Sequence, residues 1–134
     1  MTTKQQNIFN TLLVEDIIYF REVLKSVICN RFPLIRVNEA DNGKIALKII
    51  ATHTPDLIFM DIKLPGENGI QLTKDIKTEF HNIVIVVLSN YDLPEYRQAA
   101  FRNGADCFIA KESISCMEDV LARVEGTIAS KMHR

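Results

Sequence analysis

The sequence has no surplus of charge of either sign: Lys and Arg number 16, Asp and Glu 17, and the net charge is −1. That balance argues against nucleic acid or an anionic membrane as the main partner. Long apolar runs are missing as well. The stretch "IVIVVL" (83–88) is far shorter than the roughly 20 residues a membrane span needs. The first residues, "MTTKQQN", are polar and carry no signal-peptide core. Cysteine is sparse and odd in number: Cys29, Cys107 and Cys116 show no CxxC spacing. A disulfide framework and a thiolate metal site are therefore not expected, and the thiols read as reduced, structural and cytoplasmic. His53, His81 and His133 lie apart without metal-like spacing, so exposed loop or terminal positions are expected. No repeat, low-complexity segment or linker interrupts the chain.

What remains is 134 residues, 47% hydrophobic and 25% charged, the make-up of one globular domain. Its expected extent is 8–130, between a flexible tail at 1–7 and a short tail at 131–134. Within it, strand-like runs alternate with helical periods. Ile8–Val14 is mostly apolar, and residues 17–31 then repeat Phe20, Val23, Leu24, Val27 and Ile28 at helical spacing. The segment 34–40 alternates like an edge strand, and 42–53 returns to a helical period. The run 56–61 is strand-like, 69–80 helical, and 83–89 dense in β-branched residues, as in a central parallel strand. Residues 93–104 read as a helix with an Asp92…Glu95 capping box, ending at Gly104. A last short strand, 107–111, precedes a helix over 114–130, with Ser115 and Glu118 as its capping box. Five strands and five helices in strict alternation imply βαβ crossovers, hence a parallel sheet covered on both faces.

In such a sheet, the site lies beyond the carboxyl ends of the strands. The first polar residues there are Glu15 and Asp16, Asp61, Ser89, and Lys111. Two carboxylates about 5 Å apart repel by about 3 kcal/mol at an effective dielectric of about 20. Three acids together call for a cation, and a small hard ion such as Mg²⁺ favours such oxygens. Lys111 and Ser89 then supply a charge and a hydroxyl donor for the oxygens of a phosphoryl group in transit, with Asp61 as the nucleophile or acceptor.

The stretches "LLVED", "NGKIAL", "PDLIFMDIKLPGENG", "IVVLS" and "GADCFIAK" together resemble the response-regulator receiver domain of two-component signalling, over about residues 9–130. The resemblance implies a flavodoxin-like (βα)₅ three-layer sandwich, its five parallel strands in the order 2-1-3-4-5. It implies that Asp61 is the phosphoacceptor. Glu15, Asp16 and Asp61, with the backbone carbonyl of Lys63, would hold Mg²⁺, or Mn²⁺ in its place. Ser89 and Lys111 would meet the phosphoryl group, and Ser89 and Phe108 would form the switch. Pro65 and Gly66 match the turn after the acceptor strand, and Arg21 an arginine common in the first helix. The implied donor is a sensor histidine kinase or phosphotransfer protein. The implied output is a downstream effector or output domain, reached through the face of the fourth helix, fifth strand and fifth helix. The chain would be a monomer or a phosphorylation-linked homodimer, cytoplasmic, away from nucleic acid and membrane, and a phosphoacceptor rather than an enzyme.

Two departures stand out. Ile17 follows the acidic pair where a polar residue is frequent, and Glu112 follows Lys111 where proline is frequent, so no cis peptide is expected there. The sequence leaves open a stand-alone receiver or a piece of a longer regulator. Rival readings fit less well. A flavodoxin-like FMN protein wants a phosphate-cradling loop after the first strand, and "VEDIIYF" offers acids and bulky groups instead. An aspartyl phosphatase wants a second acid two residues after the nucleophile, where Lys63 stands. The alternative of a receiver-like interaction module that works without phosphorylation is opposed by the complete set of acids, hydroxyl and lysine.

Overall fold

The computed structural model describes residues 9–132, without the side chains of residues 115, 116, 131 and 132. The expected N-terminal tail, Ile8, His133 and the side chain of Ser115 lie outside the described residues. Strands β1 (Asn10–Val14), β2 (Arg36–Ala40), β3 (Leu57–Asp61), β4 (Val84–Ser89) and β5 (Cys107–Ala110) form one parallel sheet in the order β2-β1-β3-β4-β5. The register runs Thr11↔Leu57 to Val14↔Met60 on one side of β3, and Leu57↔Val84 to Asp61↔Leu88 on the other. Asp61 is thus the last paired residue of the central strand.

The helices are α1 (Ile18–Arg31), α2 (Gly43–Thr52), α3 (Gly69–Glu79), α4 (Pro94–Arg102) and α5 (Met117–Met132). They cover both faces. Leu24 and Ile28 of α1, with Leu121, Val124 and Ile128 of α5, bury Leu13, Phe59, Val86 and Ile109. Ala46 and Ile50 of α2, Leu72 and Ile76 of α3 and Ala100 of α4 bury Leu12, Met60, Val87 and Phe108 on the other face. Each large side chain so buried contributes about 1.5–3 kcal/mol, which is why the apolar runs fix the layers. Among the described residues, no helix is long and apolar enough to cross a membrane.

Local chemistry sets several helix starts. Asn42 accepts the N–H of Ile45 at 2.9 Å, and Asn68 that of Ile70 at 2.8 Å. The expected Asp92…Glu95 box does not form. Pro94 opens α4, so the N-cap falls on Leu93, and the Asp92 carboxylate is taken by Arg97 at 2.8 Å. Gly104 follows α4 at φ 105, a left-handed conformation suited to glycine. A 3₁₀ segment, Lys111–Cys116, precedes α5, which runs two residues past the expected end at 130. No cis peptide occurs among the described residues.

Between β3 and α3 a two-stranded hairpin pairs Lys63–Leu64 with Glu67–Asn68, turning at Gly66 with φ 69. Gly69 donates to the Ile62 carbonyl at 2.7 Å, and a Cβ there would overlap the carbonyl oxygen of Asp61. Glycine lets the start of α3 lie directly against the peptide that carries the central acid.

Candidate functional site

The two-residue period of a strand decides which side chains meet at the rim. Leu13, Phe59 and Ile109 face the α1/α5 layer, so Glu15, Asp61 and Lys111, each two residues on, project to that side. Ile85 and Val87 face the opposite layer with Phe108, so Ser89 projects there. The rim residues therefore divide into an acid–lysine group and a hydroxyl–aromatic group.

The acid–lysine group is nearly closed to solvent. Glu15 is 0% exposed, Asp61 2% and Lys111 8%. Lys111 Nζ lies 2.8 Å from Glu15 Oε1 and donates to Asp61 Oδ2 at 3.3 Å. The Glu15 contact is ionic only: its Oε1 is buried without a hydrogen-bond partner. The other oxygen, Oε2, accepts the N–H of Ile17 at 3.0 Å, where α1 begins, so Glu15 also serves that helix end. Asp61 Oδ1 accepts the N–H of Lys63 at 3.3 Å. One carboxylate oxygen from each of Glu15, Asp16 and Asp61 lies within 4.8 Å of the others. Burial, and then the charge of Glu15, raise the Asp61 pKa to about 6, although Lys111 and the Lys63 N–H pull the other way. Three acids against one lysine leave an excess of negative charge, and Glu15 Oε1, in ionic contact with Lys111 but without a hydrogen bond, fits a cation-binding donor set.

Arg21 steadies this group from behind. It donates from Nη1 to the Glu15 carbonyl at 2.6 Å and from Nε to Glu39 Oε1 at 2.8 Å. Burial pushes the Glu39 carboxyl up, but Lys25 and Arg21 outweigh it and hold that carboxyl below its ordinary value.

Ser89 is turned into its own loop. Its Oγ donates to the Tyr91 carbonyl at 2.8 Å and accepts the Tyr91 N–H at 3.0 Å. Asp61, Ile62, Lys63, Ser89, Asn90, Tyr91 and Tyr96 line one cleft, so the Asp61 carboxylate and the Ser89 hydroxyl open into the same space. Tyr91 is exposed and Tyr96 half-buried at its rim.

Phe108 is buried, 7% exposed, and Arg97 Cζ lies 4.7 Å from its centroid, a pairing with no signal in the sequence. Reading the sequence also missed Phe20, whose ring centroid lies 4.8 Å from Lys111 Nζ. The helical period placed Phe20 on the apolar side of α1. Strand parity would have put Lys111 on the same layer. Of the histidines, His53 and His81 are exposed; Cys29 and Cys107 are free thiols.

A doubly covered five-stranded parallel sheet, with acids and a lysine closing over its carboxyl rim, is a flavodoxin-like fold with its candidate site at that rim. The chain belongs to the response regulator receiver domain family of two-component signalling, whose sequence model matches residues 11–125. It is similar to the transcriptional regulatory protein DegU of Brevibacillus brevis, 27% identical over 107 residues, covering 80% of this chain and 45% of that protein. It is also similar to the chemotaxis protein CheY of Halobacterium salinarum, 32% identical over 100 residues, covering 75% of this chain and 82% of that protein. The receiver domain of the Francisella response regulator 1452 matches with a TM-score of 0.79 at 25% identity, covering 92% of this chain and 98% of that one. The chain spans about half the length of several curated relatives it matches, DegU among them.

Proposed function

We propose that this receiver takes a phosphoryl group onto Asp61 and changes its α4–β5–α5 surface in response. The observation that carries the reading is the buried Glu15–Asp61–Lys111 group, with the Glu15 Oε1 atom lacking a hydrogen-bond partner. Glu15, Asp16, Asp61 and the carbonyl of Lys63 would hold Mg²⁺, with Mn²⁺ an acceptable substitute. When bound, that ion neutralises the acids and the incoming phosphoryl oxygens. The donor is a phosphohistidine on a sensor histidine kinase or a phosphotransfer protein. One Asp61 oxygen bonds to phosphorus as the P–N bond breaks, and the imidazole leaves with the electron pair. Lys111 already points at Asp61 and stabilises charge on the transferred group.

The new group adds about two negative charges at the rim. Ser89 leaves the Tyr91 backbone to donate to it, and Phe108 follows on the same layer. α4 and β5 then present a changed surface to an effector, an output domain or a second copy. The protein acts on itself rather than turning over a separate substrate, and works in the cytoplasm as a monomer or phosphorylation-linked dimer.

Beryllofluoride, a stable mimic of the phosphoryl group, tests the reading by NMR titration. In Mg²⁺, shifts at Asp61, Ser89 and Lys111 should spread to Phe108 and α4, and vanish in Asp61→Asn. Shifts confined to the acids, or identical in Asp61→Asn, would overturn it.

A further inference from the structure

We infer that Phe20 is a positioning residue for Lys111: its ring face holds the ammonium over the acids while leaving its hydrogen bonds free for the phosphoryl group. The inference rests on the phosphoacceptor reading of Asp61. Lys111 Nζ is bounded on one side by Glu15 Oε1 at 2.8 Å and Asp61 Oδ2 at 3.3 Å, and the Phe20 centroid is 4.8 Å away. With Lys111 at 8% exposure, little water reaches the charge. An ammonium has three N–H donors, and of the two carboxylate contacts only that to Asp61 has hydrogen-bond geometry.

A ring face attracts a cation through its quadrupole, without a localised lone pair. A carboxylate in place of the ring would bind one N–H and deepen the preference for staying put. Water there would screen the charge. The ring does neither, so Nζ can swing from Asp61 toward a phosphoryl oxygen while staying over the same face. Phe20 is itself held: it packs on the α1/α5 core, and its neighbour Arg21 ties α1 to the Glu15 carbonyl.

Replacing Phe20 by phenylalanines carrying one to five fluorines weakens the quadrupole at nearly constant volume. The readout is the initial rate of Asp61 phosphorylation by acetyl phosphate in Mg²⁺, a donor too small to need a docking surface. The rate should fall stepwise along the series, by about 3- to 30-fold in total. Phe20→Tyr should keep the wild-type rate and Phe20→Leu should match the most fluorinated ring. A second readout needs no phosphorylation: the Lys111 Cε protons should resonate upfield in the ring current, return in Phe20→Leu and stay upfield in Phe20→Tyr. A flat fluorine series, or a Lys111 resonance unmoved by Phe20→Leu, would overturn the inference. If the wild type takes no phosphoryl group, the proposed function fails, and the resonance alone decides whether the ring holds Lys111.

Discussion

The guanidinium of Arg97 lies over the ring of Phe108, 4.7 Å from its centroid, and is tied at its other side to Asp92 at 2.8 Å. A helix residue thus caps the aromatic that the switch is proposed to move. Any outward or inward turn of Phe108 must first give up this stack. Arg97→Ala should therefore favour the moved state, and beryllofluoride in Mg²⁺ should bind about 2- to 5-fold more tightly. Isothermal titration of the two proteins measures it; unchanged or weaker binding would show that the stack does not restrain the switch.

Ser89 is engaged twice by the Tyr91 backbone, so its hydroxyl must be released before it can meet a phosphoryl group. Ser89→Ala removes both bonds and the later donor. Its urea midpoint should correspond to a loss of about 1–2 kcal/mol. Phosphorylation should still occur, while amide exchange in α4 should no longer change on phosphorylation. An α4 response of wild-type size would exclude the hydroxyl as the link.

The pKa of Asp61 sets a pH dependence with a definite sign. It stands at about 6 in the fold against an ordinary 3.8, chiefly through burial and then Glu15. The folded state thus holds this proton more tightly than the unfolded chain. The associated stability is complete below the ordinary value and lost as pH rises through about 6. In metal-free buffer at pH about 8, Asp61→Asn should be more stable than wild type by about 1–3 kcal/mol, an advantage that shrinks at low pH. Mg²⁺ competes with the same proton, so its affinity for wild type should weaken below pH about 6. Paired thermal melts with and without Mg²⁺ check both. A difference between the proteins that ignores pH would contradict the assignment.

Gly69 packs so tightly that a Cβ has no room beside the Asp61 carbonyl. Gly69→Ala should cost about 2–4 kcal/mol, because the obstacle is backbone and cannot rotate away. The strain falls on the Asp61 peptide, so Mg²⁺ affinity should drop as well. Gly66→Ala is the contrast. Open space surrounds that position, so the left-handed φ is the only obstacle and the loss should be smaller, without effect on the metal. Chemical melts and Mg²⁺ titrations of both variants separate the two.

Much of this arrangement is legible in the sequence because it depends on local pattern. The apolar runs end where the strands end, so Glu15, Asp61, Ser89 and Lys111 could be placed at one rim from the chain alone. Their division between two layers also follows from strand parity, though only once the register of each strand is known. Side-chain pairings across layers are different. Arg97 over Phe108 and Phe20 over Lys111 depend on how each helix is rotated against the sheet, which packing of many residues decides. The Asp92 cap fails for a related reason: a carboxylate has more than one available donor, and Pro94 shifts the helix start by one residue. The closeness of Gly69 to Asp61 is written in no periodicity at all, since it arises where a hairpin folds a helix start back on a strand end.

The most direct test of the central claim is intact mass after incubation with acetyl phosphate and Mg²⁺. The account predicts a single phosphoryl adduct, absent from Asp61→Asn and absent when the divalent ion is chelated. An unmodified wild type under donor and metal excess, or an adduct that survives in Asp61→Asn, would contradict it.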